Sequence, residues 1–272
     1  MKSKLFLLLL AMVASLSVWA IEKDNFSQDH EWVDLGLPSG TLWATMNIGA
    51  SSPEEYGDYF AWGETQPKEV YNWSTYSWSN GDYFKLTKYC NNSGYGDNGF
   101  TDDKTELDPD DDAAYVNWGS EWRMPTKAQQ DELISECTWQ WTTRNDVNGY
   151  LVTSNHNSAS LFLPATGYLW GSLHYDDGSS GRYWSRMLFI SYSYPYNAHF
   201  LYFTSDNVGW YTFAQRVFGF SVRAVCENSQ TGIDEINATS DKSDQRYNMM
   251  GQPVGNDYKG IVIENGKKIL VK

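Results

Sequence analysis

The sequence has 272 residues, of which 34 are acidic and 20 are lysine or arginine, so its formal net charge at pH 7 is −14. A charge of this sign disfavours nucleic acids and anionic membrane surfaces as partners, because both would repel the chain. The 13 tryptophans and 19 tyrosines combine large apolar bodies with polar tips, so they can fill a core or form a binding surface.

The first 20 residues have the pattern of a secretory signal peptide. Lys2 and Lys4 form a basic start, an apolar run follows, and small residues precede Ile21. The apolar run is short for a membrane span and is followed by polar, acidic sequence, so we expect cleavage before Ile21 and no transmembrane segment afterwards. The pattern predicts an exported protein at the cell surface or outside the cell, with the periplasm as the alternative.

Two strands and a long loop region are predicted next. Residues 31–49 have the pattern of a strand, a Pro-Ser-Gly turn and a second strand. The segment 52–104 is rich in Gly, Asn, Asp, Ser and Tyr and shows little periodicity, as in YNWSTYSWSNGDYF. This composition predicts long ordered loops rather than disorder, since the many aromatic rings can pack.

Two short helices can be placed by their capping residues. In LDPDDDAAYVNWG, Asp108 is the predicted N-cap and Pro109 takes the first helical position. In PTKAQQDELISEC, Thr126 and Gln129 form a T-x-x-Q capping box. The aspartates at 108 and 110–112 lack the alternating spacing and the glycine of a calcium-binding loop. No cofactor or metal ligand is therefore predicted, and calcium is an option that no motif supports.

The turn WRMPT at 122–126 raises the question whether Arg123 serves an anionic ligand or the fold. Pro125 keeps the residue before it extended, so the chain enters the capped helix at a fixed angle. We expect Trp122 to pack beneath the turn, and Arg123 to pair with an acid of the preceding Asp-rich segment or to bind nearby carbonyl groups. The residues predicted to have this structural role are Trp122, Arg123, Pro125, Thr126 and Gln129.

Residues 138–225, which end in the segment GFSVRAV, have the pattern of short strands and turns. The alternation in GFSVRAV places Phe220, Val222 and Ala224 on one face and Arg223 on the other. Few helices combined with many strands predict an α+β fold.

Six segments carry a family resemblance: WVDLGLPSGTLWATMNIGA, EEYGDYFAWGE, DDAAYVNWGSEWRMPTKAQQDELISECTWQWT, FLPATGY, YWS and GFSVRAV. In this order they resemble the Fibrobacter succinogenes major paralogous domain, a family common in exported proteins of Bacteroidetes. The resemblance covers residues 31–226 and implies a C-type-lectin-like domain over 28–227, with two short helices, short antiparallel strands and long ordered loops. Met46, Arg186 and Ala224 depart from it, standing where many members have Cys, Ser and Pro.

The C-terminal part has a different character. A polar linker at 228–245 leads to residues 246–272, which contain the hairpin signature IVIENGKKILV with Asn265 and Gly266 as the turn. The run KGIVIENGKK resembles the sorting segment of type IX secretion cargo. This resemblance implies that the small C-terminal β-hairpin is an export address, and the alternative is an assembly element.

The pairing of the three cysteines is open. One pair can be oxidised in an exported protein. The predicted positions of Cys137 at a helix end and Cys226 at the end of the last strand favour a disulfide between them, with Cys90 free. The alternatives are that all three are reduced or that Cys90 forms the bridge.

The main functional hypothesis is a non-catalytic binding or adhesion module that recognises a glycan or a protein. Its ligand would contact the aromatic-rich loops of residues 168–213, because aromatic side chains stack on sugar rings and fill grooves of protein partners. The alternative is that these side chains pack the core. The candidate ligand-binding residues are Trp170, His174, Tyr175, Tyr183, Tyr192, Tyr194, Tyr196 and Trp210.

A formylglycine-generating enzyme and a structural surface component are the alternatives to the binding module. The WRMPT and SVR segments are also similar to formylglycine-generating enzymes, whose chemistry needs two cooperating thiols that hold copper. The placement of Cys137 and Cys226 suits a structural bridge better, and the sequence contains neither G-x-S-x-G nor H-E-x-x-H. We therefore predict no catalytic residues and no enzyme. A structural surface or pilus component is the remaining alternative.

Overall fold

The computed structural model describes residues 30–209, 212–227, 246–248, 253–255, 258–264 and 267–271. The predicted signal peptide, the linker 228–245, the Asn265-Gly266 turn and Trp210 lie outside these ranges. The described residues up to Glu227 form one compact unit and those from Arg246 onward form another.

The first unit contains twelve short strands and two α-helices among its described residues. In chain order these are β1 (Trp32–Asp34), β2 (Thr41–Ala44), α1 (Ala113–Trp118), α2 (Lys127–Ser135), β3 (Cys137–Arg144), β4 (Val147–Ser154), β5 (Ser160–Pro164), β6 (Tyr168–Trp170), β7 (Leu173–Tyr175), β8 (Ser180–Leu188), β9 (Asn197–Thr204), β10 (Asn207–Val208), β11 (Phe213–Gln215) and β12 (Val225–Glu227). The second unit contains β13 (Arg246–Asn248), β14 (Pro253–Val254), β15 (Gly260–Glu264) and β16 (Lys267–Val271).

All strand pairs within these sheets are antiparallel, and the fold is α+β. The first unit has a sheet β1-β2-β12, a sheet β3-β4-β5, a ribbon β6-β7, and a sheet in which β9 pairs with β8, β10 and β11. Strand β12 lies beside β2, with Val225 opposite Trp43. The two ends of the described part of this unit therefore meet, and the loops between them can form a surface elsewhere.

The C-terminal unit is a four-stranded sheet in the order β14-β13-β15-β16. Strands β15 and β16 pair antiparallel from Gly260 opposite Val271 to Glu264 opposite Lys267. Two further strands thus extend the hairpin arms into a sheet. A hairpin alone is marginally stable, whereas additional strands provide more backbone pairing.

The long loop region between β2 and α1 is held by buried aromatic side chains rather than by regular structure. Trp62, Tyr71, Tyr76 and Tyr89 are each at most 2% exposed. Their polar tips are paired: Trp62 Nε1 donates to the carbonyl of Ser185, and the Tyr76 hydroxyl donates to the carbonyl of Trp62. Burial of the rings with satisfied tips accounts for an ordered loop without periodicity.

Helix α1 begins later than the sequence predicted. Asp108 takes the predicted N-cap position, with Pro109 first, but of a single 3-10 turn, Pro109–Asp111. Its side chain makes no capping hydrogen bond; its carboxylate binds the ammonium groups of Lys88 and Lys104. The N-cap of α1 is Asp112, whose side chain accepts from the backbone N–H groups of the second and third helical residues. The N-cap of α1 itself was not predicted, because several consecutive aspartates satisfy the capping pattern and only the one at the start of α1 has the geometry.

Helix α2 carries the predicted capping box. Thr126 Oγ1 accepts from the backbone N–H of Gln129 at 3.1 Å, and Gln129 Oε1 accepts from the backbone N–H of Thr126 at 2.8 Å. Both groups would otherwise lack partners at the helix start.

We expect Thr126→Ala to lower the free energy of unfolding by about 1 kcal/mol, because the variant loses the capping oxygen. Urea denaturation of the purified protein measures this change. Thr126→Ser is the matched control, since it keeps the hydroxyl and should retain most of the stability. An equal loss in both variants would contradict a capping role.

The predicted bridge between Cys137 and Cys226 is not formed. Cys90, Cys137 and Cys226 are free and buried. Cys137 packs in the cluster that contains Leu133 and Val152, whereas Cys226 belongs to the other main cluster, with Trp122 and Met124. The prediction failed because the helix end and the last strand contribute to different parts of the core. Burial raises the pKa of Cys137 and of Cys226 to about 11, so both thiols are neutral at pH 7.

Candidate functional site

The most exposed aromatic side chains of the first unit lie on two loops that are distant in sequence. Tyr192 is 83% exposed, Tyr194 is 49% exposed and Phe84 is 48% exposed. Isolated exposed apolar residues are common on protein surfaces, but a contiguous group marks an interaction site. We call the group on these loops the tyrosine platform; it consists of Trp73, Tyr83, Phe84, Tyr95, Tyr192, Tyr194 and Tyr196.

All rings of the tyrosine platform except that of Tyr192 contact at least one other ring of the group, and several of these contacts cross between the two loops. The ring centroid of Tyr196 lies 5.1 Å from that of Tyr83, 5.8 Å from that of Tyr95 and 6.2 Å from that of Tyr194. Phe84 stacks on Tyr95 at 4.9 Å. These distances are within the range of favourable aromatic pairs, so the rings order each other.

Polar contacts fix the two loops together. Asn92 Nδ2 donates to the carbonyl of Tyr192 at 2.9 Å, and the hydroxyl of Tyr95 donates to the carbonyl of Ser193 at 3.3 Å. The Oγ of Ser191 accepts from the backbone N–H groups of Ser193 and Tyr194, at 3.3 Å each. These bonds form a tight turn that exposes Tyr194. The platform is therefore preorganised rather than formed by a loose loop.

Two hydrogen bonds join the platform to strand β11 and the residue that follows it. Trp73 Nε1 donates to Oε1 of Gln215 in β11 at 3.2 Å, and the carbonyl of Tyr196 accepts from the N–H of Arg216 at 3.1 Å. Trp73 itself begins a 3-10 turn capped by Asn72, whose side chain accepts from two backbone N–H groups. The edge of the platform is thus fixed to regular structure.

The hydroxyl group of Tyr196 at the centre of the platform is neutral near pH 7. Burial raises the pKa of Tyr196, and the neighbouring tyrosines add to the shift. A neutral phenol can donate and accept hydrogen bonds. The platform therefore offers flat apolar ring faces together with phenolic hydroxyl groups.

The structure divides the predicted ligand-binding residues into separate groups. Tyr192, Tyr194 and Tyr196 belong to the tyrosine platform. Trp170 and Tyr175 belong to the ribbon β6-β7 and are 47% and 39% exposed. Trp170 packs on Phe218 and Tyr175 stacks on Tyr168. Trp210 lies outside the described residues.

His174 is exposed but has a structural hydrogen bond. Its Nε2 lies 2.9 Å from the hydroxyl of Tyr59 and 2.8 Å from the carbonyl of Thr166. These contacts hold the ribbon β6-β7, which carries Trp170 and Tyr175, against the neighbouring loop. His174 therefore has a structural role in this ribbon.

Tyr183 was predicted as a ligand-binding residue and is instead part of the core. It is 1% exposed, and its hydroxyl donates to the carbonyl of Pro164 at 2.6 Å. Burial raises its pKa to about 12. Strand β8 is covered on both faces at this point, so the exposure expected for alternate residues of a surface strand does not apply.

Arg123 has structural partners throughout. Its Nε donates to Asp112 Oδ2 at 2.8 Å, and its Nη2 donates to the carbonyl of Leu107 at 3.2 Å. Trp122 and Met124 on either side of it are buried in the core. The geometry leaves Arg123 engaged with the fold and not directed at a ligand.

Four members of the platform were missed by sequence reasoning: Trp73, Tyr83, Phe84 and Tyr95. The only signal for them is the aromatic-rich composition of YNWSTYSWSNGDYF and, for Tyr95, of CNNSGYGDNGF, which predicted ordered loops but no partner. Their pairing with the segment 190–196 spans about a hundred residues of sequence, as the Asn92–Tyr192 contact shows.

Within residues 30–227, excluding 210–211, and the described strands of the C-terminal unit, no three His, Cys, Asp or Glu side chains are grouped so that they could hold a metal ion. In the same part of the chain no helix has both the length and the apolar composition to span a bilayer.

Comparisons of the chain with protein-family models, with curated proteins and with solved structures give no match. The function therefore has to be inferred from the geometry and chemistry of the chain itself.

Proposed function

We propose that the protein is a non-catalytic binding module that recognises a glycan through the tyrosine platform. The observation that carries this proposal is the contact of the exposed ring of Tyr194 and the half-buried rings of Tyr83 and Tyr95 with that of Tyr196, which joins two distant loops. Exposed apolar ring surface is unfavourable in water. A ligand that covers these rings removes this surface from water, which contributes favourably to the free energy of binding.

The chemistry of the platform suits a sugar chain. The C–H face of a pyranose is apolar and packs on the electron-rich face of an aromatic ring, while sugar hydroxyls bond to phenol groups. Tyr192 and Tyr194 offer such faces because large parts of their side chains are exposed. Tyrosine also has only two side-chain torsions to immobilise, which keeps the entropic cost of binding low.

The charge of the chain narrows the class of glycan. The formal net charge is −14, and acidic polysaccharides would be repelled at long range. A neutral glycan is therefore the better ligand. The predicted export signal, the resemblance to the major paralogous domain and its implied C-type-lectin-like fold support a role in binding outside the cytoplasm.

The test is binding of the purified protein to an array of neutral polysaccharides and oligosaccharides, compared with the variant Tyr192→Ala, Tyr194→Ala, Tyr196→Ala. A single truncated aromatic hot spot costs roughly 2 kcal/mol. We therefore expect the triple variant to bind at least about 30-fold more weakly. Thermal unfolding of both proteins checks that the fold is retained.

Two control variants separate stacking from other effects. The triple Tyr→Phe variant at the same positions keeps the rings and should retain most of the binding if stacking dominates. Trp32→Ala removes an exposed aromatic side chain from β1, which is 43% exposed, and should leave binding unchanged. Full binding by the triple alanine variant would rule out the platform as the site.

A further inference from the structure

A cavity lies beside the sheet of β8, β9 and β11. Its volume is about 250 Å³. It is lined by the guanidinium-bearing side chain of Arg182 and by the rings of Phe200, Tyr202, Phe213, Phe218 and Phe220. We call it the aromatic groove. No residue of the tyrosine platform lines it, so it is a separate feature of the same unit.

Arg182 is held in a defined orientation at the groove. Its guanidinium carbon lies 3.8 Å from the ring centroid of Tyr168 and 5.5 Å from that of Tyr202. Its Nη2 donates to Asp176 Oδ2 at 2.8 Å. The Arg182 side chain is 16% exposed and that of Asp176 is 49% exposed. Stacking and pairing together fix the donor Arg182, which lines the groove, beside the acceptor Asp176, which lies next to the lining residues and is 49% exposed.

One exposed aromatic side chain lines the groove and another packs against a lining residue. Trp170 is 47% exposed, and its ring centroid lies 4.6 Å from that of Phe218, which lines the groove. Phe213, another lining residue, is 42% exposed and stacks on Phe189 at 4.0 Å. A ligand that enters the groove can therefore also contact Trp170.

We propose that the aromatic groove binds one ring of a neutral sugar, whose adjacent hydroxyl groups contact Arg182 and Asp176. A guanidinium only donates hydrogen bonds and an ionised carboxylate only accepts them, whereas a hydroxyl does both. A vicinal diol is thus complementary to the pair. The apolar face of the same ring packs on the aromatic wall.

Other ligand classes fit the groove less well. An anion would meet Asp176 and the negative net charge of −14, and a cation would meet Arg182. A purely apolar ligand would cover the N–H groups of Arg182 without replacing their hydrogen bonds to water, which is costly. Pockets that enclose a drug-sized ligand have roughly 300–1,000 Å³, so a cavity of about 250 Å³ has room for a single ring.

This second site goes beyond the proposed platform and does not depend on it. The platform would bind an extended chain on an open surface, and the groove would take one residue of a sugar in a cavity. Separate probes distinguish the two sites: immobilised polysaccharide reports on the platform, and a free methyl glycoside reports on the groove.

The experiment is titration of the full protein with the methyl glycosides of glucose, galactose and mannose, followed by saturation-transfer NMR. We expect at least one glycoside to bind with a dissociation constant in the millimolar range. Deoxy analogues that lack one of the adjacent hydroxyl groups should bind at least about fivefold more weakly, and the corresponding uronate should bind more weakly than the neutral sugar.

Two variants test the residues. Asp176→Asn removes the carboxylate charge and suits the left-handed backbone of this residue, whose φ is 58°; we expect about tenfold weaker binding. Trp170→Ala truncates an exposed side chain and should weaken binding several-fold, while the surface control Trp32→Ala leaves it unchanged. No binding of any neutral glycoside, or equal binding by Asp176→Asn, Trp170→Ala and the wild type, would overturn the proposal, as would preferred binding of the uronate.

Discussion

Replacement of Asp112 with alanine is expected to lower the free energy of unfolding by roughly 3–5 kcal/mol, which is the cost of removing one partner from a buried ion pair. Asp112 is fully buried. Its carboxylate accepts from the N–H groups of Ala114, Tyr115 and Met124 and from Nε of Arg123. The variant would leave all four donors without this acceptor, and buried unpaired donors carry the full desolvation cost.

Two comparisons make this prediction specific. Asp112→Asn keeps one oxygen that can cap α1 and should cost less than alanine. Arg123→Ala should also cost less, because the Arg123 side chain is 25% exposed and its removal leaves Asp112 with its backbone donors. Guanidinium denaturation of the three variants measures the order. An Arg123→Ala variant that is as unstable as Asp112→Ala would contradict the central role of the carboxylate.

Local patterns predicted the structure where the partners are close in sequence. The Thr126–Gln129 capping box is present because both partners lie within one helical turn. The alternation in GFSVRAV is also informative: Phe220, Val222 and Ala224 belong to one core cluster and Val225 to the other. All of these residues are buried, however. The alternation therefore identified the two faces of the segment, but it did not show that both faces are covered.

Sequence reasoning failed where several residues satisfy one pattern or where the partner is remote. Any of the aspartates before α1 could have capped it, and only packing selects Asp112. Tyr183 and Tyr192 have the same side chain, yet one is 1% exposed and the other 83% exposed. The difference follows from the covering of β8 by other segments. The Asn92–Tyr192 contact joins loops that no local pattern relates.

The sequence predicted the candidate binding surfaces only in part, again because their residues are brought together by tertiary packing. An excess of tyrosine and tryptophan predicted that some aromatic side chains would be exposed, and three predicted residues, Tyr192, Tyr194 and Tyr196, lie on the tyrosine platform. The groove around Arg182 was not predicted, because its lining comes from β8, β9, β11 and the segment near Phe218. Assembly of a cavity from four parts of the chain is a tertiary property.

Arg223 is expected to contribute as much to stability as Asp112, although its partners are neutral. It is 1% exposed. Its Nε donates to Asn47 Oδ1 at 2.8 Å, Nη1 to the carbonyl of Ala44 at 3.1 Å and Nη2 to the carbonyl of Phe162 at 3.0 Å. These contacts join the end of β2 and β5 to the segment before β12. Burial lowers the pKa of Arg223 to about 10, so it is still charged at pH 7.

We expect Arg223→Met to lower the free energy of unfolding by roughly 3–5 kcal/mol, because three buried acceptors lose a charged donor and each unsatisfied group costs about 1–3 kcal/mol. Arg223→Lys should recover only part of this loss, since an ammonium group cannot reproduce the planar fork. Guanidinium denaturation at pH 7 gives both values.

The matched control is Arg216→Met, because Arg216 is also fully buried. Its Nη1 donates to the carbonyls of Lys88 and Tyr89, but its Nε and Nη2 have no hydrogen-bond partner among the described residues. Removal of this guanidinium relieves part of a desolvation cost that its few hydrogen bonds do not offset. We therefore expect Arg216→Met to cost at least about 1 kcal/mol less than Arg223→Met. Equal losses would mean that burial of the arginine stem, and not the number of its hydrogen bonds, determines its contribution to stability.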